Sequence, residues 1–339
     1  MKFTRGKVKK TNKRKLALGL VGLLVVALVV SAVVVRNTYT ENLKSLSSSS
    51  KKHVVTIQPG SSTEHIALSL KSRGVIKSDW AFEWYVRNHK SKDALKAGTY
   101  VFDQNQSVQE IVDTIISGKV ATDLITILPG KSLEQTKSDF IKAGFSHAEV
   151  EAALEPSQYS GHPALADKPK EATLEGYIYP ETFQKTAETT LKEIVELSLD
   201  EMQLRLTNEV RAAITKQGMS VHQAMTLASI IEGEVGSAEE RAIVSQVFQK
   251  RLREGIRLES NATDDYAKIN PAYDSYKIDG LPPGPISNFT ESSINSVAFP
   301  TQTDWLYFVT GDDGKTHFSK TLEEHESLIV KYCTTLCGR

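Results

Sequence analysis

The strongest constraint on this chain is a long apolar run near its start. Residues 16–35 read LALGLVGLLVVALVVSAVVV, in which Ser31 is the single polar side chain. A helix of this length spans about 30 Å, the thickness of the hydrocarbon core of a bilayer. Residues 1–15 carry eight Lys and Arg and no acid. By the positive-inside rule, this pattern predicts a cytoplasmic tail at 1–15 and a transmembrane helix at 16–36.

A cleaved signal peptide is the alternative for this segment. Signal peptides have a shorter apolar core that ends at a small-residue cleavage site. Here the candidate site, residues 31–33, lies within a continuing run of valines. We therefore expect an uncleaved single-pass anchor in the plasma membrane, with the chain beyond residue 36 outside the cell. Because the basic tail adjoins the span, it indicates membrane topology, and no nucleic-acid partner is predicted.

The rest of the chain predicts an α+β protein in two parts that follow a Ser-rich linker at 37–52. Residues 53–121 alternate strand and helix patterns in a small α/β module, with Ser107 and Glu110 placed as a capping box. Residues 122–337 predict a larger mixed domain, with one long helix at 190–217 and a hairpin that turns at 312–314.

A carboxylate on an apolar helix face marks the first candidate for chemistry. Residues 220–258 predict two capped helices joined at Gly236. The apolar positions of the first form one stripe: Val221, Ala224, Met225, Ala228, Ile231 and Val235. Glu232 falls inside this stripe, where a charge is costly unless it is paired or faces a cleft. Either Glu232 is functional or it pairs with a cation such as Arg241. Glu234 points roughly 160° away and is expected to be structural.

The motifs around this helix pair carry a family resemblance. Residues 228–234 read ASIIEGE, and the elements that follow in order are Glu240-Arg241, Val247-Phe248, Arg251-Leu252, Gly255, Arg257-Leu258, Tyr273 with Tyr276, and GLPPGPI at 280–286. Upstream, AGTYVF precedes a capped helix that ends in SGK, and LEGYIYPETF follows at 174–183. This arrangement resembles the MltG (YceG-like) endolytic murein transglycosylases over residues 53–330.

The resemblance implies a membrane-anchored enzyme that cleaves the β-1,4 bond between N-acetylmuramic acid and N-acetylglucosamine in nascent glycan strands. It implies 1,6-anhydro ends, termination of strand elongation, and a LysM-like module at 53–121. Partners would be glycan strands and cell-wall synthases, and neither a cofactor nor a metal is expected. In this interpretation Glu232, kept protonated by its apolar surroundings, is the catalytic acid and then the base. Glu240 and Arg241 are expected to tie the two helices together.

A second set of residues is expected to bind the sugar rings and their amides: Asn261, Thr263, Tyr266, Tyr179, Tyr276, Leu281 and Pro282. Two departures from the family pattern stand close to them. Asn261 replaces an Asp, and Phe289-Thr290 replaces a Gly or Pro-Gly. These changes put substrate positioning and rate in doubt and leave the Glu232 position intact.

Two other functions stay open from the sequence. A hydrolytic muramidase would pair Glu232 with Asp264 or Asp265, and a non-catalytic glycan-binding scaffold is suggested by Asn261. Metal chemistry lacks its motifs in this sequence, and the Ser-x-x-Lys pattern of penicillin-binding acyl-transfer enzymes occurs only within the Ser-rich linker, as at Ser48 to Lys51. The two cysteines, Cys333 and Cys337, would lie outside the cell, where a disulfide is permitted, but four-residue spacing on a helix suits one poorly.

Overall fold

The computed structural model describes residues 12–48, 52–186 and 188–335. The chain divides into two compact units, Met1–Asp123 and Leu124–Arg339. Each unit contains helices and a small antiparallel sheet, and together they give the α+β class expected from the sequence.

The first unit begins with a long helix, α1 (Asn12–Asn42). Its portion Gly22–Asn42 has a mean hydropathy of 1.8, which makes it long and apolar enough to cross a membrane. The helix does not stop at residue 36, so the predicted linker at 37–52 is wrong over its first part. Leu43 instead packs against the core of this unit, and its carbonyl accepts a hydrogen bond of 3.0 Å from the backbone N–H of Val108.

A compact α/β module follows α1. Its elements are β1 (Lys52–Ile57), α2 (Thr63–Ser72), α3 (Asp79–Asn88), β2 (Gly98–Asp103) and α4 (Val108–Ser117). The two strands pair antiparallel, with Val55 opposite Tyr100. Each helix starts at a serine whose hydroxyl accepts a backbone N–H, and Ser107 with Glu110 forms the predicted capping box. The core holds Ile66, Leu70, Phe82, Tyr100, Phe102, Ile111 and Ile115.

The second unit is mostly helical, with two two-stranded antiparallel sheets. Its strands are β3 (Leu124–Thr126) paired with β4 (Thr182–Gln184), and β5 (Tyr307–Thr310) paired with β6 (Thr316–Ser319). Its helices are α5 (Leu133–Lys142), α6 (His147–Ala153), α7 (Leu191–Arg205), α8 (Asn208–Lys216), α9 (Val221–Glu234), α10 (Ala238–Arg253), α11 (Asp264–Ile269), α12 (Glu291–Ala298) and α13 (Leu322–Tyr332).

The single helix predicted at 190–217 is wrong, because the chain breaks between α7 and α8. Thr207 has an extended backbone, and its hydroxyl accepts a hydrogen bond from the N–H of Val210. A threonine that caps a new helix competes with continuation of the preceding one. The apolar pattern runs through this break, so the pattern alone does not reveal it.

Helix α9 lies at the centre of the second unit. Its predicted apolar stripe is buried, but so are residues on its other faces, including His222, Leu227, Ser229 and Ile230. A helix that is buried on several faces does not separate a core side from a solvent side cleanly. The helix face alone therefore does not distinguish Glu232 from Glu234.

Candidate active site

Glu232 is enclosed by donors. Its side chain is 7% exposed, and Arg241 Nη2 donates to Oε1 at 3.1 Å. Three further donors reach Oε2: the backbone N–H of Thr290 at 2.9 Å, its hydroxyl at 2.8 Å and the hydroxyl of Ser293 at 2.6 Å. Because Thr290 is the N-cap of α12, the carboxylate lies at the positive end of that helix. These contacts are typical of a structural carboxylate. They agree with the alternative in which Glu232 pairs with Arg241.

Arg241 makes the connection predicted between the two helices. Its Nε donates to the carbonyl of Val235 at 3.0 Å, and its Nη1 donates to Thr290 Oγ1 at 2.9 Å. One guanidinium thus links α10, the C-terminal end of α9 and the start of α12. Glu240 points elsewhere, and its Oε1 accepts a hydrogen bond from the backbone N–H of Thr316 in the hairpin.

Glu234 has a different environment. Its Oε1 accepts hydrogen bonds from the hydroxyl of Ser260 and, at 3.4 Å, from the backbone N–H of Ala262. Among the residues that the structure describes, none donates to Oε2. Burial raises the pKa of the Glu234 carboxyl above its ordinary value, and the charge of Asp264 raises it further, whereas the two hydrogen bonds lower it. The carboxyl group therefore tends to keep its proton, and one of its oxygens remains available.

The loop at 258–263 holds Glu234 in this position. Ser260 N–H donates to Ser275 Oγ at 2.8 Å, and the hydroxyls of Thr263 and Ser275 lie 2.9 Å apart. Glu259, which has a left-handed φ of 51°, forms an ion pair with Arg251. The tertiary contacts of this loop therefore stabilise a backbone conformation that a glutamate rarely adopts.

Gly233 permits this loop to approach the helix. A Cβ atom at Gly233 would lie 3.0 Å from the Cβ of Ala262, closer than normal van der Waals contact. The Ala262 N–H is one of the two donors to Glu234. The glycine between the two acids therefore has a local role, because it lets the loop reach the second acid.

Glu234 lines a cavity of about 590 Å³. The other lining residues include Arg251, Glu259, Asn261, Tyr276, Tyr307 and His325. Cavities of a few hundred cubic ångströms with a few convergent polar groups are typical of ligand-binding sites. Glu232 does not line this cavity.

Two of the predicted binding residues lie at this cavity. Asn261 and Tyr276 both line it, and Tyr276 Oη donates to Asn261 Oδ1 at 2.6 Å. Thr263 is 0% exposed, so its side chain does not reach a ligand. Its hydroxyl instead stabilises the loop through contacts with Ser260 and Ser275.

The remaining predicted binding residues do not line the large cavity. Tyr179 is buried, and the guanidinium of Arg205 lies 4.5 Å from its ring centroid. Leu281 packs on the hydrophobic core, and Pro282 is buried. Tyr266 donates its hydroxyl to Glu175. Aromatic and proline residues serve the core as readily as a sugar site, which explains the difference.

A second polar cluster surrounds Glu175, whose role no motif or periodicity in the sequence indicates. Its two carboxyl oxygens accept from the N–H of Leu133 at 2.8 and 3.0 Å, at the start of α5. Burial raises the pKa of Glu175 to about 7. Gly176, with a φ of 78°, lies against Pro285, to which a Cβ atom at 176 would come within 2.4 Å. The two segments that contain GYIYP and GLPPGP are therefore in direct contact.

His222 connects the same two segments. Its Nδ1 lies 2.8 Å from the hydroxyl of Tyr177, and its Nε2 lies 3.0 Å from the carbonyl oxygen of Pro283. His222 and Pro283 line a smaller cavity of about 320 Å³ together with Glu175 and Tyr273. The periodicity of α9 does not indicate this role, because a polar residue in the first turn of a helix is common at the protein surface.

The carboxyl groups of the alternative hydrolase differ in accessibility. Asp265 is 92% exposed and pairs with Lys268 at 2.7 Å, which lowers the pKa of the aspartate. Asp264 is the charge that raises the pKa of Glu234, so it lies within electrostatic reach of that carboxyl group.

At the C-terminus, Cys333 is disulfide-bonded. Cys337, the second of the two cysteines in the sequence, lies outside the described residues.

Two bacterial proteins named endolytic murein transglycosylase are similar to this chain over most of its length. The endolytic murein transglycosylase of Bacillus subtilis (strain 168) is 29% identical over 307 residues, which cover 83% of this chain and 85% of that protein. The protein of the same name from Streptococcus pneumoniae serotype 2 is 27% identical over 337 residues, 86% of this chain. The chain spans 60% of the length of that protein.

A solved structure and a family model agree with these relatives. The crystal structure of a yceG-like protein from Listeria monocytogenes matches with a TM-score of 0.55 and 31% identity, over 83% of this chain and all of that one. The model of the YceG-like family matches residues 55–331. This match includes nearly all of the first unit's module, α9, its two acids and the surrounding cavity, and the chain belongs to the YceG-like family.

Proposed function

We propose that this protein is an endolytic peptidoglycan transglycosylase and that Glu234 is its catalytic residue. The observation that carries the proposal is a carboxyl group of raised pKa that lines a cavity of about 590 Å³, with one oxygen accepting no hydrogen bond from the described residues. The names of the relatives support the reaction class, and the geometry at the end of α9 supports the choice of Glu234.

The chemistry needs one carboxyl group that is used twice. Protonated Glu234 donates its proton to the glycosidic oxygen between N-acetylmuramic acid and N-acetylglucosamine, and the bond from that oxygen to C1 breaks. The resulting carboxylate then removes the proton from the muramyl O6 hydroxyl as O6 bonds to C1. The products are an N-acetylglucosamine end and a 1,6-anhydro end, and the carboxyl group regains its proton. Burial serves the first step, because it keeps the acid protonated at the start.

Glu232 has a supporting role in this proposal. Its four donors hold the end of α9 against α10 and α12, so the backbone that bears Glu234 is fixed. Ser260 and Ala262 then orient the Glu234 side chain through Oε1, which directs Oε2 to the substrate. Asn261 and Tyr276 lie in the same cavity and are proposed to contact the sugar amides.

The remaining assignments concern location and partners. We propose that α1 anchors the protein in the plasma membrane, with its N-terminus in the cytoplasm and the chain beyond residue 36, including the second unit, outside the cell, where glycan strands lie. The module at 53–121 is proposed to be LysM-like, and cell-wall synthases are proposed partners because a strand must be made before it is cleaved. Termination of strand elongation follows if the substrate is nascent glycan.

The test is the digestion of purified glycan strands by the full chain and by the variants Glu234→Gln and Glu232→Gln. Mass spectrometry of the products should show 1,6-anhydro ends with the wild type and with Glu232→Gln, and none with Glu234→Gln. Both variants replace a glutamate by glutamine at the end of α9, two residues apart. Each is therefore the control for the other.

Other results would contradict specific parts of the proposal. Reducing ends in place of anhydro ends would establish a hydrolase and direct attention to Asp264. Loss of cleavage in a folded Glu232→Gln variant, with cleavage retained in Glu234→Gln, would restore Glu232 as the catalytic acid. No strand shortening by the wild type would leave a glycan-binding scaffold.

A further inference from the structure

Helix α1 is joined to the first unit through an aromatic cluster. The ring of Tyr39 meets the ring of Trp84 edge-on, with centroids 4.6 Å apart and planes at 84°, and it lies 6.0 Å from Trp80. Lys77 Nζ donates to the carbonyl of Glu41 at 3.4 Å, and the Leu43 carbonyl accepts the Val108 N–H at 3.0 Å. The last two turns of α1 are thus bonded to the module and do not act as a flexible tether.

Trp80 and Trp84 also present a large open surface. They lie four residues apart on α3, on one face of the helix, and are 44% and 47% exposed. Exposure of two neighbouring indoles is costly in water, because each could otherwise bury a large apolar area. The indole ring, with an apolar body and one N–H donor, is instead suited to the boundary between lipid and water.

The position of this cluster along α1 matches that boundary. The apolar run ends at Val35, and Tyr39 follows four residues later, about 6 Å farther along a helix axis. A bilayer of about 40–45 Å with a hydrocarbon core of about 30 Å has an interfacial layer of roughly 5–7 Å on each side. Arg36 lies between Val35 and Tyr39, at the level where a cation would be near lipid phosphates if α1 crosses a bilayer.

We propose that Tyr39, Trp80 and Trp84 form an interfacial anchor that seats the first unit in the headgroup layer of the membrane that α1 crosses. The occupant of this exposed face is lipid, because the face is continuous with the spanning helix and lies one helical turn beyond its apolar run. This inference depends on the proposed membrane insertion of α1, and it is independent of the proposed glycan cleavage.

The three tryptophans of the sequence, Trp80, Trp84 and Trp305, allow a direct test. The full chain is reconstituted into phosphatidylglycerol–phosphatidylcholine vesicles as the variant Trp305→Phe, which leaves the two indoles of α3 as the emitters. Lipids brominated near the headgroup end of the acyl chain should quench this emission more strongly than lipids brominated near the chain end. The double variant Trp80→Phe/Trp84→Phe reports the signal of Trp305 in the second unit and serves as the baseline. The single substitutions Trp80→Phe and Trp84→Phe in the Trp305→Phe background show how much each indole contributes to the quenching.

The proposal is overturned if neither bromolipid quenches the Trp305→Phe variant while the chain stays with the vesicles through an alkaline carbonate wash. Such a result would mean that α1 inserts and the indoles face water or another protein. Release of the chain by the wash would overturn it as well, since α1 would then not be inserted. Glycan digestion by the same preparations tests the catalytic proposal separately, because Glu234 lies in the second unit.

Discussion

The two acids at the end of α9 lie two residues apart and have opposite surroundings. Glu232 accepts four hydrogen bonds, one of them from a guanidinium, and none of its surface lines the large cavity. Glu234 accepts two, both on one oxygen, and faces the cavity. A carboxyl group that is saturated with donors holds structure together, whereas a desolvated group with a free oxygen can exchange a proton. The number and direction of donors separate their roles.

The largest expected difference between the two acids is in rate. Glu234→Gln should reduce the rate of glycan cleavage by about 10²–10⁴-fold, the usual contribution of a general acid or base, with little loss of stability. Glu232→Gln should retain most of the rate but lower the free energy of unfolding by about 2 kcal/mol, since it weakens charge-assisted hydrogen bonds. Cleavage rates and urea unfolding of the same preparations measure both. Equal rate losses in the two variants would contradict the division of roles.

The next effect concerns the partner of Glu232. Arg241→Met leaves a buried carboxylate without its cation and should lower the free energy of unfolding by about 4 kcal/mol. Arg241→Lys, which keeps the charge but loses the bonds to Val235 and Thr290, should cost less. The measurement is urea unfolding followed by Trp305 fluorescence in the Trp80→Phe/Trp84→Phe background. An Arg241→Met variant as stable as the wild type would show that Glu232 does not need this cation.

Glu175 extends the comparison to a third buried carboxyl group. Burial raises the pKa of Glu175 from its ordinary 4.5 to about 7 in the folded chain, so between these pH values the folded state holds a proton that the unfolded state has lost. The free energy of unfolding should therefore fall as pH rises from about 4.5 to 7, by about 3 kcal/mol in total, and stay level above. Glu175→Gln should remove this slope. Unfolding at pH 5 and pH 8 tests it, and an unchanged slope in the variant would assign the dependence to other groups.

A smaller effect is expected from the glycine between the two acids. Gly233→Ala improves helix propensity by about 1 kcal/mol but pushes against Ala262, which donates to Glu234. Cleavage should fall roughly tenfold, because a small misplacement of a reacting group is costly, while stability changes little. If the rate is unchanged, the position of the loop at 258–263 does not control Glu234.

The smallest effect is a shift in pH dependence. Glycan cleavage should decline as pH rises through the raised pKa of Glu234, since the first step needs the protonated form. Asn261→Asp adds a third carboxyl group to the cavity that Glu234 and Glu259 line, and its negative charge should raise the pKa of Glu234 further, as the charge of Asp264 does. The descending limb of the pH–rate profile should then move to higher pH. A shift to lower pH, or a profile without a descending limb, would argue against Glu234 as the acid.

Local structure was largely predictable from the sequence, because capping and alternation act over a few residues. The capping box at Ser107, the capped starts of α9 and α10 and the hairpin at 312–314 all form as predicted. The long helix at 190–217 failed at Thr207, where a local hydrogen bond outweighs a continuous apolar pattern.

The site was less predictable, since it depends on contacts between distant segments. The motif drew attention to the end of α9 that bears both acids, but the donors that distinguish Glu232 from Glu234 come from Arg241 and from residues 260–262 and 290–293. Helical periodicity could not supply them, because most of α9 is buried and both acids lie at its less buried C-terminal end. Thr263 and Tyr179 were expected at the ligand and lie in the interior instead, as polar and aromatic residues often do when they fix a loop.

Helix α1 continues without a break from its apolar run to Tyr39. The orientation of the α/β module about the axis of α1 therefore depends on the number of helical residues between them. Each residue inserted between Arg36 and Tyr39 would raise the module by about 1.5 Å and rotate it by about 100° about the helix axis. One added residue would therefore swing Trp80 and Trp84 to another side of α1, whereas a full turn of added residues would nearly restore their direction at a greater height. The number of residues between the apolar run and Tyr39 thus sets both the distance of the module from the apolar run and its orientation about the helix axis.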